Sequence, residues 1–165
     1  MRDKMKVYKL LFVIICQLTY LLANNIFTIE NNNNLSRIIS FNIGSISFEE
    51  ENGYHQIISN SKGSVDIIGE PDMPTYSFNY AIDRNKEYSI EYNVISYDTF
   101  ENINLLPNQN IINENTFYKK EELYNSKQIY PQKNLVFNRM SLRGYELYGI
   151  QIIPFEYDFS DKTLK

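Results

Sequence analysis

The clearest pattern along the chain is an alternation of large and polar side chains in two neighbouring segments. In the first segment every second residue is aromatic or apolar: Tyr76, Phe78, Tyr80 and Ile82. The second segment repeats the pattern with Tyr88, Ile90, Tyr92 and Val94. Since successive side chains of a strand point to opposite faces of a sheet, each segment is predicted to be a half-buried strand. The polar residues 83–86 between them predict a turn and therefore an antiparallel hairpin.

Shorter apolar runs, separated by Gly, Asn, Asp and Pro, predict further strands on both sides of this pair. The predicted strands cover residues 38–48, 54–59, 64–68, 135–142, 145–153 and 155–159. Arg143 and Gly144 lie between two of these runs and predict a tight turn. About seven short strands without a long helical pattern indicate an all-β fold, an antiparallel β-sandwich for which a jelly roll is one arrangement.

Residues 98–133 differ from the rest of the chain because they are polar, rich in Asn and interrupted by Pro107 and Pro131. Only residues 117–124 carry a weak helical pattern. A connection of this length inside one domain is usually either functional or disordered. We therefore expect any loop that contacts a partner to lie here.

The first residues have the pattern of a secretory signal peptide. Positive side chains precede an apolar run over residues 10–22, and they are Arg2, Lys4, Lys6 and Lys9. Ala23 follows as a small residue suited to cleavage, which defines a signal peptide over residues 1–23. A retained membrane anchor is the weaker alternative, because the uninterrupted apolar stretch is shorter than the roughly 20 residues that a membrane span needs. Cleavage predicts export to the periplasm, the cell surface or the medium, without membrane attachment afterwards.

Cys16 is the only cysteine, and it lies inside the predicted signal peptide. Lipid attachment at Cys16 is disfavoured, because residues 13–15 before it are bulky and apolar. The exported chain would thus contain neither a disulfide nor a thiol nucleophile. Its stability is expected to come from its core alone.

Length and charge limit the kind of protein further. The 165 residues suffice for about one domain, which we place at residues 38–165, after a flexible Asn-rich leader at residues 24–37. The 16 basic and 20 acidic side chains give a net charge of -4. Beyond the N-terminus the basic residues are scattered, so nucleic acid is not an expected partner.

The residues offer little for catalysis or for metal binding. His55 is the only histidine, and no cysteine or clustered carboxylate accompanies it, so a base or ligand role is not expected. Glu49, Glu50 and Glu51 are consecutive and lack the ligand spacing of a calcium loop. No catalytic residue, metal site or cofactor is predicted.

Two stretches of the chain resemble the gingipain propeptide family, the prosegments of peptidase family C25. The first is Gly-Glu-Pro-Asp-Met-Pro at residues 69–74, where the family usually has Leu in place of Met73. The second runs from Tyr-Pro at 130–131 through Leu-Arg-Gly at 142–144 to Pro154. The chain departs from the family's Tyr-Asn-Pro near its end, where it has Tyr-Asp-Phe at 157–159. The motif positions to which we assign a structural role are Gly69, Pro71, Pro74, Pro131, Arg143, Gly144, Pro154 and Tyr157.

The resemblance implies a non-catalytic N-terminal prosegment of a secreted gingipain-like cysteine endopeptidase precursor. Such a prosegment is a folding helper and temporary inhibitor of a caspase-like peptidase domain that follows in the same chain. In related prosegments a basic side chain on a loop occupies the substrate pocket of the enzyme, where it offers charged donors to acidic groups. The candidates here are Lys119, Lys120 and Lys127. Arg143 could also point into the pocket, but the predicted tight turn favours a structural role.

Two questions stay open at the level of sequence. The catalytic His and Cys of such a peptidase are missing, so the chain is either a fragment of a longer precursor or a free-standing inhibitor-like remnant, and its end at Lys165, inside the last matching strand, favours the fragment. A secreted β-sandwich adhesion or carbohydrate-binding module is the alternative from another class. It would need exposed aromatic rings that stack on sugars, whereas tyrosines in alternating strands more often pack in the core or across strands.

Overall fold

The computed structural model of the chain describes residues 27–31, 36–61, 63–109 and 117–165. The chain divides into two compact units, residues 1–44 and residues 45–165. In the first unit, β1 (Phe27–Asn31) and β2 (Arg37–Phe41) form an antiparallel pair. The predicted signal peptide and its cleavage site at Ala23 lie outside the described residues.

A strand at Phe27–Asn31 differs from the flexible leader expected at residues 24–37. Apolar side chains alternate in this strand, and Phe27 lies opposite Phe41 with the two ring centroids 5.7 Å apart. The cross-strand partner supplies stabilisation that the Asn-rich composition did not indicate. The strand predicted over residues 38–48 is also divided, because the chain leaves β2 after Phe41 and passes through Gly44, whose φ is 70°.

The second unit contains nine short strands and one turn of helix in the described residues. The elements are β3 (Ser47–Glu51), β4 (Tyr54–Ile58), β5 (Gly63–Ser64), β6 (Pro74–Ile82), α1 (Glu121–Tyr124), β7 (Ile129–Tyr130), β8 (Leu135–Leu142), β9 (Tyr145–Ile152), β10 (Tyr157–Asp158) and β11 (Thr163–Leu164). They form three antiparallel sheets with strand orders β3-β4, β5-β6-β9-β8 and β11-β10-β7. The predicted all-β antiparallel fold is confirmed.

β8 and β9 form the hairpin that the sequence predicts. The strands close on the pair Leu142 and Tyr145, and the two turn residues between them both have positive φ, 52° at Arg143 and 86° at Gly144. A two-residue turn with positive φ at both positions matches the right-handed twist of the flanking strands. Gly at the second position takes this conformation without steric cost.

The predicted hairpin between residues 75–82 and 88–94 is wrong. β6 buries the side of the strand that the alternation predicts, since Tyr76 is buried and Ser77 is exposed. Its partner, however, is β9, with Tyr80 opposite Tyr148. Residues 88–94 belong to no strand. Alternation shows only that a segment fits a sheet. The choice of partner depends on which pairing completes the larger sheet, and here β9 lies between β6 and β8.

The core forms where the residue 69–74 motif, residues 100–108 and the C-terminal strands meet. The largest side chains that are fully buried are Pro71, Met73, Leu105, Pro107, Phe155, Tyr157 and Leu164. The Tyr157 hydroxyl donates a hydrogen bond to the carbonyl oxygen of Ile103, 2.6 Å away. A buried phenol needs such a partner, so this bond ties the last strands to the middle of the chain.

The long connection at residues 98–133 is a packed part of the domain over much of its described length. Phe100 and Leu164 exchange two backbone hydrogen bonds, of 2.8 and 2.9 Å. Further along, the Asp72 N–H donates to the Leu106 carbonyl oxygen at 2.8 Å. Residues 103–108 alternate between buried and half-buried positions like a strand, which their Asn-rich composition concealed. Of the two expectations for this connection, disorder is wrong for residues 100–108, which are held by these hydrogen bonds.

Candidate functional site

Residues 117–120, which lead into α1, are attached to the motif at residues 69–74. The Lys120 N–H donates to the Gly69 carbonyl oxygen at 3.0 Å, and the Tyr118 ring lies directly against Gly69. A Cβ atom at Gly69 would come within 2.5 Å of Tyr118 Cε1, and the φ of Gly69 is 81°. Both the close approach and the left-handed backbone require glycine here.

Glu70 contacts two residues that flank Lys127 along the chain, Lys120 and Tyr130. The Lys120 ammonium lies 2.6 Å from Glu70 Oε1, and the Tyr130 hydroxyl donates to Glu70 Oε2 at 2.8 Å. The Glu70 side chain is only 16% exposed and that of Lys120 is 38% exposed, so both contacts are charge-assisted hydrogen bonds to a carboxylate that is mostly shielded from water. Burial raises the pKa of Tyr130, and its hydrogen bond to Glu70 raises that pKa further. We call Glu70, Lys120 and Tyr130 the Glu70 clamp.

Lys119 is also engaged inside the domain. Its ammonium group lies 3.1 Å from Glu121 Oε2, and it stands 5.5 Å from the ring centroid of Tyr124 and 6.0 Å from that of Tyr54. Burial lowers the pKa of Lys119, but hydrogen bonds and charge interactions with Glu121 and Tyr54 outweigh this and raise the pKa. Lys119 therefore stays charged, with its ammonium already partnered.

Lys127 differs from the other two candidates because it is exposed and forms no ion pair within the described residues. The chain on both sides is well held. Before it, the Ser126 N–H donates to the Leu123 carbonyl oxygen at 3.0 Å, and after it the Gln128 N–H donates to Ser126 Oγ at 3.4 Å. Lys127 is thus the candidate that combines solvent exposure with the absence of an ion pair among the described residues.

The family-motif positions are either buried or half-buried in the domain, or exposed at the tip of a hairpin. Gly69, Pro71, Pro74 and Tyr157 are buried, and Pro131 and Pro154 are half-buried. Arg143 and Gly144 are exposed at the tip of the β8-β9 hairpin. Their positions are compatible with structural roles, which stay predictions.

The acidic and imidazole groups near the motif are used for structure. The His55 Nδ1 atom accepts a hydrogen bond from the Asn104 N–H at 3.0 Å. Burial raises the pKa of Asp72, opposed by hydrogen bonds from Gln56 and Ser64. Among the described residues, no three His, Cys, Asp or Glu side chains are grouped so that they could hold a metal ion. The same residues contain no helix long and apolar enough to cross a membrane.

Sequence reasoning missed Glu70 and the docking of residues 100–108. Glu70 is 50 residues from Lys120 along the chain, and no periodicity connects the two. The signal available in the sequence was a charged residue, Glu70, placed between Gly69 and Pro71 of the motif. A carboxylate placed beside buried prolines needs a partner, and this need could have directed attention to it.

These features define a small all-β domain whose long connection is fixed to its core and presents a basic side chain. The chain belongs to the C25 propeptide family, because the family Propeptide_C25 matches residues 25–165. The resemblance seen in the sequence is thereby confirmed.

Chains of solved structures that are similar to this chain include the two that follow. One is the complex of Porphyromonas gingivalis RgpB pro- and mature domains, with a TM-score of 0.70, 14% identity and coverage of 86% of this chain and 80% of that chain. The other concerns the zymogenic latency of gingipain K from Porphyromonas gingivalis, with a TM-score of 0.68, 16% identity and coverage of 84% and 85%. At these identities the likeness establishes the fold. The search of curated proteins returned no significant match.

Proposed function

We propose that the chain is the prosegment of a secreted C25 cysteine endopeptidase precursor, and that it assists the folding of the downstream peptidase domain and inhibits it until activation. The family match over residues 25–165 supports this function. The fold supports it further, since one similar structure is a complex of pro- and mature domains and the other concerns zymogenic latency. Export follows from the signal sequence at residues 1–23, with cleavage after Ala23.

Lys127 is the residue that enters the substrate pocket of the peptidase in this proposal. The observation that carries it is the contrast among the three lysines, since Lys119 and Lys120 are partnered inside the domain and Lys127 is exposed. An ammonium group can donate three hydrogen bonds to acidic and carbonyl oxygens in a pocket. Because the segment is already held by the fold, little conformational entropy is lost when it binds.

The test is inhibition of the purified peptidase domain of the same precursor by the purified chain. We expect the inhibition constant of Lys127→Ala to rise by about tenfold or more, since a desolvated charged contact is lost. Lys133→Ala is the matched control, because Lys133 is an exposed lysine of the same connection. Equal inhibition by the two variants would reject Lys127 as the residue that enters the pocket. No inhibition by the unaltered chain at micromolar concentration would reject the prosegment function itself.

The alternative of a carbohydrate-binding module receives no comparable support. Such a module needs aromatic faces that are exposed together. Tyr97, Tyr118 and Tyr145 are among the most exposed aromatic side chains, and they belong to three separate segments of the described chain. The family match favours the prosegment.

A further inference from the structure

Residues 87–97 have the sequence of a strand but do not pair as one. Aromatic and β-branched side chains alternate along them, which suits a pleated sheet. Within the described chain, however, they neither donate nor accept a backbone hydrogen bond to another backbone group. Regular hydrogen bonding ends at the turn where Lys86 N–H donates to the Asp83 carbonyl oxygen, and resumes at Phe100.

One side of this segment is anchored on its own domain. The Tyr88 hydroxyl accepts a hydrogen bond from the Asp83 N–H at 3.1 Å, and the Tyr88 ring meets that of Tyr148 edge-on at 6.3 Å. Ile90 and Tyr92 are half-buried, whereas the residues between and beside them are exposed. The segment is therefore held in place by side chains, while its backbone groups form no backbone hydrogen bond within the described residues.

The far end of the segment exposes apolar side chains. Ile95 is 93% exposed, and Val94 and Tyr97 are 57% and 66% exposed. A segment with strand-like alternation, without backbone pairing to the described residues and with exposed apolar side chains can act as a template for strand addition. In strand addition a partner supplies the missing hydrogen bonds and covers the apolar surface. Both contributions are realised only in a complex.

The charges around the segment indicate what kind of strand fits. No basic residue occurs between Lys86 and Lys119, and the acidic residues near the segment are Glu87, Glu91, Asp98 and Glu101. Lys165 lies beside the far end of the segment, with its ammonium 5.9 Å from the centroid of the Tyr97 ring, but the carboxylates outnumber it. Pairing with a second copy would bring the same carboxylates together in one ribbon, and like charges across strands are destabilising. A partner strand that carries Lys or Arg is favoured instead.

We propose that residues 87–97 bind an extended, basic segment of the precursor's own peptidase domain by edge-to-edge strand pairing. This inference rests on the proposed function and adds a second contact to that of Lys127. The pocket contact blocks the active site, and the strand contact supplies main-chain hydrogen bonds that hold the two domains in register.

Proline substitutions test the pairing, because proline removes a backbone donor and fits an extended segment. Neighbouring strand residues direct their N–H groups to opposite edges, so Asn93→Pro and Val94→Pro each disable one edge. We expect one of the two to weaken binding of the peptidase by about tenfold, while Asn93→Ala and Val94→Ala bind as the unaltered chain does or nearly so. The melting temperature of the free chain should not change, since the amides of Asn93 and Val94 form no backbone hydrogen bond with the described residues.

Hydrogen exchange on the unaltered chain provides an independent reading. Amides of residues 87–97 should exchange more slowly when the peptidase is bound. Unchanged exchange in a bound chain, or proline variants that bind like their alanine controls, would overturn the pairing while leaving the prosegment function intact. Self-association that the proline variants abolish would identify a second copy as the partner and overturn the assignment to the peptidase. An unaltered chain that does not bind the peptidase at all would reject the proposed function itself.

Discussion

At the scale of single residues, Glu70 has more structural importance than its place in the sequence suggests. Its two carboxylate oxygens bind Lys120 and Tyr130, which lie on either side of Lys127 along the chain. The clamp thus joins the residue 69–74 motif to the segment that presents the proposed inhibitory side chain. A carboxylate that is mostly buried and accepts two short hydrogen bonds makes a large contribution because leaving any partner unsatisfied is costly.

We expect Glu70→Gln to lower the free energy of unfolding by about 1–3 kcal/mol, since the Lys120 ammonium would lose its counterion. Denaturant unfolding measures this loss. Glu122→Gln is the control, because Glu122 is exposed in the same segment and forms no ion pair within the described residues. A double-mutant cycle with Lys120→Gln isolates the pair itself. A coupling energy near zero would show that the contact contributes nothing.

At the scale of elements, the β8-β9 hairpin is closed by a turn in which one residue suits its conformation and the other does not. Gly144 takes its φ of 86° without strain, whereas Arg143 adopts a φ of 52° that an L side chain rarely occupies. A Cβ atom at Gly144 would meet nothing within 4 Å. Substitution effects at these positions therefore report backbone conformation alone.

We expect Gly144→Ala to destabilise the chain by about 1 kcal/mol, the usual cost of a left-handed alanine. Arg143→Asn should instead stabilise the chain, because Asn-Gly is the favoured pair for this turn. Thermal unfolding of both variants measures the difference. Inhibition of the peptidase should be unaffected by Arg143→Asn, and a marked loss of inhibition would instead assign Arg143 to the enzyme pocket.

At the scale of the whole molecule, several tyrosines are buried or half-buried. Burial raises the pKa of four of them, Tyr92, Tyr124, Tyr130 and Tyr157, above the ordinary value of about 10. The Tyr124 hydroxyl, for example, donates to the Leu105 carbonyl oxygen at 3.0 Å. Loss of a proton from any of these phenols would place a negative charge at a buried or half-buried position.

The free energy of unfolding should consequently fall as the pH rises above about 10. A group whose pKa is raised in the folded chain contributes its full stabilisation below the unfolded pKa and loses it as the pH rises toward the folded pKa. Denaturant unfolding between pH 8 and pH 11 would measure the decline. Tyr124→Phe should make the decline of the free energy of unfolding with pH less steep. Tyr145→Phe serves as the control, because Tyr145 is 71% exposed. A stability that is constant across this range would contradict the explanation.

Much of the architecture follows from local sequence, because strand alternation and turn chemistry depend on neighbouring residues. The alternation at residues 76–82 and the Arg-Gly turn were sufficient to predict β6 and the β8-β9 hairpin, and the two motifs were sufficient for the family. The partner of β6 could not be predicted in this way. Residues 88–94 have the same alternation as β9, and only packing of the complete sheet distinguishes them.

The sequence by itself determined an all-β chain of the C25 propeptide family with three candidate lysines. Only the tertiary structure decided that Lys119 and Lys120 form ion pairs within the domain while Lys127 is exposed. It also decided that the backbone of residues 87–97 pairs with no other described residue. The physical reason is distance along the chain. A contact such as that of Glu70 with Lys120 joins residues 50 positions apart, and the free energy of such contacts depends on burial and geometry that exist only after folding.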